Sequence, residues 1–405
     1  MSEGAGLAFL EALGPQKIRP GLSRTRALLA GLGHPERSFR TILIAGTNGK
    51  GSTAAFASSL LRAAGARSGL YTSPHLVRVT ERIRVDDVDV SPRLLDDVLA
   101  HLAQVAGREA LAPTYFEALT VAACELFRRK GVEVAVLEVG IGGRLDATNV
   151  VDAEVSVLTN VGADHLEVLG PTLEGVAREK AGIFRRGAPA LTSQTGHLLE
   201  VVADEARRIG ARLLAVPPTS RYATICPLRG RHQEANLALA IAAVAALAPL
   251  DEEAVRAGVA ATRWLGRLQS VERPGGRRPL LLDGAHNPDG ALSLAAWLDD
   301  SGLAGRADLV FGGLADKNLE EVFAPLRSRV RRVVLTAPTS PRREAPERLA
   351  ARLGDPRAVC EADVASALAR LDAGGESPDV PIIVTGSLFL VADALAFLER
   401  GPGGA

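Results

Sequence analysis

The feature that most restricts this chain is the stretch Ala45-Gly46-Thr47-Asn48-Gly49-Lys50-Gly51-Ser52. It lies between a β-branched run, Thr41–Ile44, and a helical stretch from about Ser52 to Ala64. Glycines in such a loop let successive backbone N–H groups converge on an anion, and the following helix turns its N-terminal dipole toward it. In that cradle Thr47, Asn48, Gly49 and Gly51 line the phosphates, Lys50 bridges the terminal ones, and the Ser52 hydroxyl lies near Mg²⁺. A glycine-rich turn with a merely solvated lysine would not need the strand–loop–helix setting. ATP is therefore the expected ligand. The usual pattern puts Ser or Thr directly after the lysine; here Gly51 intervenes, which narrows the class of loop.

Around the loop, strand and helix signals alternate, as expected for parallel sheets covered by helices. Val132–Val139 and Val155–Thr159 read as buried strands, and Pro171–Phe184 and Glu234–Leu247 as helices. Pro274, Gly275 and Gly276 break the turn-rich stretch Glu272–Pro279, and a domain boundary is expected there. The expected domains are 1–272, holding ATP, and 273–405. In the second, strands at Leu280–Leu282, Asp308–Phe311, Arg332–Thr336 and Pro381–Thr385 alternate with helices at Pro288–Leu298, Leu319–Leu326 and Ala392–Leu398. The expected fold is thus α/β: a P-loop NTPase-like parallel-sheet ATPase domain, then a smaller Rossmann-like doubly wound domain.

Composition removes several other classes. With 47 basic and 47 acidic residues in 405, the chain has no net field to favour nucleic acid or anionic membrane. No apolar run approaches membrane-spanning length, and Met1–Leu10 lacks the layout of a secretory signal. Cys124, Cys226 and Cys360 are too scattered for a zinc knuckle or a disulfide framework. A cytoplasmic location follows as the expectation.

Further segments carry a resemblance. Gly46–Ser52, Tyr71-Thr72-Ser73-Pro74-His75-Leu76 with Glu81-Arg82-Ile83, and Leu137–Asn149 resemble signatures of the folylpolyglutamate synthase/dihydrofolate synthase family in the Mur ligase superfamily. Asp164-His165, Arg178–Phe184, Gly266-Arg267-Leu268 and Asp283-Gly284-Ala285-His286-Asn287-Pro288 follow in that family's order. The similarity runs from roughly Ile18 to Val391. The Mur peptidoglycan ligases are the nearest competitors; the early position of the phosphate loop favours the folate branch.

The resemblance implies an ADP-forming ligase that adds L-glutamate to dihydropteroate, to reduced folates, or to both, through an acyl phosphate. It implies that Ser73, Glu138 and His165 hold Mg²⁺, with Lys180 carboxylated on its amine to assist a second Mg²⁺. Lys50, Glu138, His165 and Lys180 are then the catalytic set. Asn236, Arg267 and Asp283 are implied nucleotide contacts, and His286 and Ser387 implied glutamate contacts. The pterin side falls to Thr114, Tyr115, Phe116 and Glu117 with Leu145, Asp146 and Ala147. The family default is a monomer.

Simpler roles stay open for several of these residues. Glu138 could pair with an arginine, His165 could be an ordinary loop histidine, and Lys180 could be solvated or paired with Glu174 or Glu179. Asn236 could be a buried helical amide, Tyr115 and Phe116 core aromatics, and Ser387 the cap of the last helix. Small-molecule kinase activity, another Mur-type amide ligation, or a nucleotide-switched binding protein are the competing functions.

Overall fold

In the computed structural model of the protein, residues 4–14, 19–374, 376, 377 and 379–400 are described. The chain forms two compact units, Met1–Pro227 with Gln233–Thr262, and Leu228–His232 with Arg263–Ala405.

The first unit is built on eight strands: β1 (Arg40–Ala45), β2 (Ser68–Tyr71), β3 (Ile83–Val85), β4 (Val88–Asp89), β5 (Val134–Glu138), β6 (Val155–Leu158), β7 (Pro189–Thr192) and β8 (Arg212–Ala215). They lie in the order β4-β3-β2-β5-β1-β6-β7-β8. All neighbours pair parallel except the β2–β3–β4 edge, which is antiparallel. The central strands β5 and β6 are buried along their whole length and β1 along all but its first residue, which is why they read as continuous apolar runs rather than alternating ones. Helices Lys50–Ala63, Pro92–Arg108 and Tyr115–Lys130 belong to this unit. Ser91 opens the second of these by accepting from Leu94 N–H, and Pro92 suits its first turn.

The second unit has β9 (Gln269–Arg273), β10 (Arg277–Leu282), β11 (Ala307–Phe311), β12 (Val330–Leu335), β13 (Ala358–Cys360) and β14 (Ile382–Thr385). Their order is β13-β12-β11-β14-β10-β9, parallel except for β9. Leu281, Leu309, Phe311, Val333 and Ile383 form its core with helix residues such as Leu294, Leu298 and Phe323.

The expected division at Glu272–Pro279 is displaced. That stretch is the turn of the β9–β10 hairpin, with Gly275 at φ 75° and Gly276 at φ 67°. A Pro/Gly turn looks the same locally whether it links domains or strands; the cross-strand pairs Arg277–Arg273 and Leu280–Val271 decide between them here. The division between units falls instead after Thr262. The expected helices shift modestly: the first begins at Lys50 rather than Ser52, and Glu234–Leu247 becomes His232–Ala245. Among the described residues no helix is long and apolar enough to cross a membrane. None of the three cysteines forms a disulfide.

Candidate active site

The phosphate loop leaves the carboxyl end of β1, the central strand between β5 and β6. Gly46 (φ 153°) and Gly49 (φ 81°) take backbone conformations that side chains resist. A Cβ at Gly46 would strike the Thr159 hydroxyl, and one at Gly49 would strike Asn236 Oδ1. The loop is latched from the β6 side. Thr47 N–H donates to Asn160 C=O at 3.0 Å, and Asn48 N–H donates to Asn160 Oδ1 at 2.8 Å. Thr159 Oγ1 donates to Asn48 C=O at 2.6 Å, while Thr47 Oγ1 accepts from Gly162 N–H at 2.9 Å. Behind the loop, Asn236 donates to Gln233 Oε1, and Gln233 donates to Ser52 Oγ at 3.4 Å.

Of the chain's five lysines, Lys17, Lys50, Lys130, Lys180 and Lys317, two meet at this loop. Lys50 Nζ donates to Gly46 C=O at 3.0 Å and to Thr47 C=O at 3.2 Å. Lys180 Nζ donates to the same Gly46 carbonyl at 2.9 Å. Lys180 is buried, on the Leu173–Ala181 helix. Burial, and then the neighbouring Lys50 charge, bring its pKa down from 10.5 to about 7, against the opposing pull of Asp164, Asp146 and Glu179. Its amine is thus partly neutral near neutral pH, which a solvated lysine is not.

Glu138 ends β5 beside Ile44 of β1 and is buried. Its Oε2 accepts from Ser73 N–H at 3.0 Å. A buried carboxylate tied to the Ser73 loop is the hard-oxygen chemistry that Mg²⁺ takes. Among the described residues no three His, Cys, Asp or Glu side chains cluster as a ready metal cage. A cation held by Glu138 and His165 would draw the rest of its shell from hydroxyl, phosphate and water oxygens. His165 sits at φ 55° after Asp164, with its imidazole 3.9 Å from Asp164 and 3.5 Å from Glu167.

On the expected pterin side, several residues are engaged by the fold. Thr114 and Glu117 form a reciprocal cap on the Tyr115–Lys130 helix: Glu117 N–H donates to Thr114 Oγ1, and Thr114 N–H donates to Glu117 Oε2. Asp146 accepts from Gly140 N–H, Ile141 N–H, Thr148 N–H and Thr148 Oγ1, so it orders the Gly140–Ile141 loop, and burial raises its pKa. Phe116 lies 5.9 Å from the Tyr71 ring and limits Gly140 to a glycine. Leu145 is exposed, with its carbonyl accepting from Gly21 N–H; Ala147 is buried in a short 3₁₀ turn.

Sequence reasoning gave no role to some neighbours. Arg24 donates to both oxygens of Glu117, at 3.0 and 3.1 Å. Arg82 donates to His75 Nδ1 at 2.9 Å and lies over the Tyr115 ring. Burial, then Arg82, bring the His75 pKa down to about 4. His75 and Arg82 both lie in the Tyr71–Leu76 and Glu81–Ile83 signature, but only their juxtaposition shows what they do. Thr159 and Asn160 carried no signal beyond following a strand.

In the second unit, Asp283 Oδ2 accepts from Leu268 N–H and Oδ1 from Ala285 N–H, each at 3.0 Å, so it orders the turn that carries Arg267. Arg267 Nη1 occupies the space a Cβ on Gly284 would need. His232 is also near this pair; its burial lowers its pKa, with Asp283 raising it and Arg267 lowering it further. His286 Nδ1 is 2.8 Å from Gly284 C=O. Ser387 Oγ accepts from Phe389 N–H at 3.1 Å and so does cap the Leu388–Arg400 helix, as its simpler role required.

Known proteins resemble the chain in sequence and in fold. The Mur ligase middle domain matches residues 44–193, and the Mur ligase glutamate ligase domain matches residues 266–388. The chain is 36% identical over 95% of its length to a probable bifunctional folylpolyglutamate synthase/dihydropteroate synthase of Haloferax volcanii, of which it spans only 49%. It is 35% identical to the dihydrofolate synthase/folylpolyglutamate synthase of Escherichia coli, covering 98% of this chain and 96% of that one. The solved structure of E. coli FolC in complex with DHPP and ADP superposes with a TM-score of 0.88 at 32% identity, over 99% of this chain and 98% of that one. With its phosphate loop, its Glu138–Ser73 bond and both Mur domains, the chain belongs to the folylpolyglutamate synthase/dihydrofolate synthase family of Mur ligases.

Proposed function

We propose that this protein uses ATP to join L-glutamate to the carboxylate of dihydropteroate, of a reduced folate, or of both. The observation that carries this reading is the meeting of Lys50 and Lys180 on the Gly46 carbonyl at the mouth of the phosphate loop. A carboxylate is a poor acyl donor because oxide is a poor leaving group. Its oxygen attacks the γ-phosphorus, the bond to the β-phosphate oxygen breaks, and ADP leaves. The glutamate amine then attacks the acyl carbon of the acyl phosphate, phosphate departs, and the amine proton passes to solvent.

The protein's share is positioning and charge. Loop N–H groups and Lys50 hold the phosphates, while the Thr159–Asn160 latch keeps the loop in shape. Glu138, Ser73 and His165 would hold Mg²⁺, which would neutralise charge on the transferred phosphoryl group. Asn236, Arg267 and Asp283 are the further nucleotide residues of this reading, and His286 and Ser387 the glutamate residues. The Asn236 contact with Gly49 supports a role beside the loop at least as directly as one at the base.

Lys180 carboxylation belongs to the same reading. Only a neutral amine attacks CO₂, and a pKa near 7 makes that form available. The resulting carbamate trades Lys50–Lys180 repulsion for attraction and supplies oxygens to a second Mg²⁺, while its remaining N–H can still reach Gly46. Protein exchanged into ¹³C-bicarbonate should show a carbamate resonance that Lys180→Ala lacks, and short carboxylates should partly restore the activity of that variant.

The deciding assay offers purified protein, MgATP and glutamate with dihydropteroate or tetrahydrofolate. Phosphate release that requires both acceptor and glutamate is the expected result. Turnover of neither acceptor would refute the folate assignment, and a stable phosphorylated product formed without glutamate would instead establish a kinase.

A further inference from the structure

We propose that Arg82 is the residue that takes the acceptor's carboxylate, with His75 fixing its orientation. The inference rests on the folate reading above and adds to it a specific anchor.

Three arginines of the described chain are buried: Arg82, Arg273 and Arg278. A guanidinium taken out of water needs a compensating negative charge. Arg273 has one in Asp372 at 2.7 Å, and Arg278 has one in the fully buried Asp308 at 2.7 Å. Arg82 is the exception. Its Nε donates to His75 Nδ1 at 2.9 Å, its face lies 5.4 Å from the Tyr115 ring centroid, and among the described residues no carboxylate reaches pairing distance.

The nearest acid in sequence is already committed. Glu81 accepts from Leu76 N–H at 2.8 Å, Val77 N–H at 3.0 Å and Arg78 N–H at 2.7 Å. Nor does His75 supply charge. A guanidinium can only donate, so the Nδ1 that accepts from it carries a lone pair and the ring is not an anion. The remaining contact, the Tyr115 face, offers a quadrupole in place of an ion. Nε and one face are thereby fixed, and the two Nη groups donate to no described residue. That leaves the paired edge of the fork, the part that matches a carboxylate.

Its place in the fold says which carboxylate. Arg82 C=O accepts from Thr72 N–H at 2.9 Å, and the next residue, Ser73, donates to Glu138. Tyr115 lies beside Phe116, which packs on Tyr71 and Gly140. Arg82 therefore stands between the Ser73–Glu138 end of the site and the aromatic start of the Tyr115–Lys130 helix. An aromatic acid with its ring toward that helix and its carboxylate on Arg82 points its reacting group toward the phosphate loop. The benzoate carboxylate of a pteroate has this form. Held at both oxygens, it loses the rotation that in-line attack on the γ-phosphorus cannot tolerate.

The test compares binding of dihydropteroate with binding of its carboxamide to the full-length protein in the presence of a non-hydrolysable ATP analogue. Arg82→Gln is expected to lose about tenfold or more in affinity for the carboxylate and almost nothing for the amide, as loss of one charged fork contact implies. Nucleotide affinity should be unchanged, which also reports that the variant is folded. Arg82→Lys, retaining charge without the fork, should fall between and serves if the Gln variant does not fold. Equal weakening toward acid and amide, or weakened nucleotide binding with acceptor binding intact, would overturn the assignment. Wild-type protein that binds neither ligand would end the folate reading and this inference together, whereas undiminished acid binding by folded Arg82→Gln ends this inference alone.

Discussion

Lys180 illustrates how much a single environment changes. Free in an unfolded chain it holds its proton to about pH 10.5; in the fold burial and Lys50 bring that to about 7. Below pH 7 both states are protonated, and the folded one bears the full burden of a buried ammonium. Between pH 7 and 10.5 the unfolded chain keeps a proton that the folded chain has released, so stability climbs with pH across that window. In CO₂-free buffer Lys180→Met should therefore melt above the wild type at pH 6, and the gap should close as pH approaches 10. Parallel Tm curves for the two proteins would show that Lys180 is not the titrating group. That it is a lysine in a helix was plain from its sequence; that Gly46 and Lys50 face it was not, because they lie more than a hundred residues away.

At the scale of elements, the phosphate loop is held from outside itself. Gly49→Ala puts a Cβ at φ 81° and into Asn236, so ATP affinity should fall at least tenfold by isothermal titration, a change of about 1.4 kcal/mol or more. Thr159→Val removes the donor to Asn48 C=O; it should cost about 1 kcal/mol of stability and raise the KM for ATP while leaving the KM for glutamate alone. An unchanged ATP KM would mean that the loop keeps its shape without the latch. The loop itself was legible because its chemistry is local: glycine conformations, a lysine and a helix start. The latch was not, since Thr159 and Asn160 become neighbours of the loop only through the parallel pairing of β1 and β6. The inner strand β2 and the edge strand β8 carry no such signal, since their four residues lack the β-branched run that marks the equally short β6.

For the whole molecule, the position of the boundary has a direct consequence. β9 pairs only with β10, at the edge of the second sheet. A chain ended after Glu272 would keep most of β9 and discard its partner, leaving an unpaired strand edge. One ended after Thr262 would keep all eight strands of the first sheet and none of the second. Light scattering should show the longer fragment aggregating more than the shorter one. The reverse order would place β9 with the first unit after all.

The sequence by itself determined the α/β class, the phosphate loop, the order of signatures and hence the family, because each rests on neighbouring residues or on repeated apolar runs. Tertiary structure alone decided where the units divide, which residues hold the loop, and that Thr114, Glu117, Asp146 and Ser387 have structural work of their own. It also decided the electrostatics of Lys180 and Arg82. A charge is set by what surrounds it, and those surroundings are assembled from distant parts of the chain only when the sheet forms.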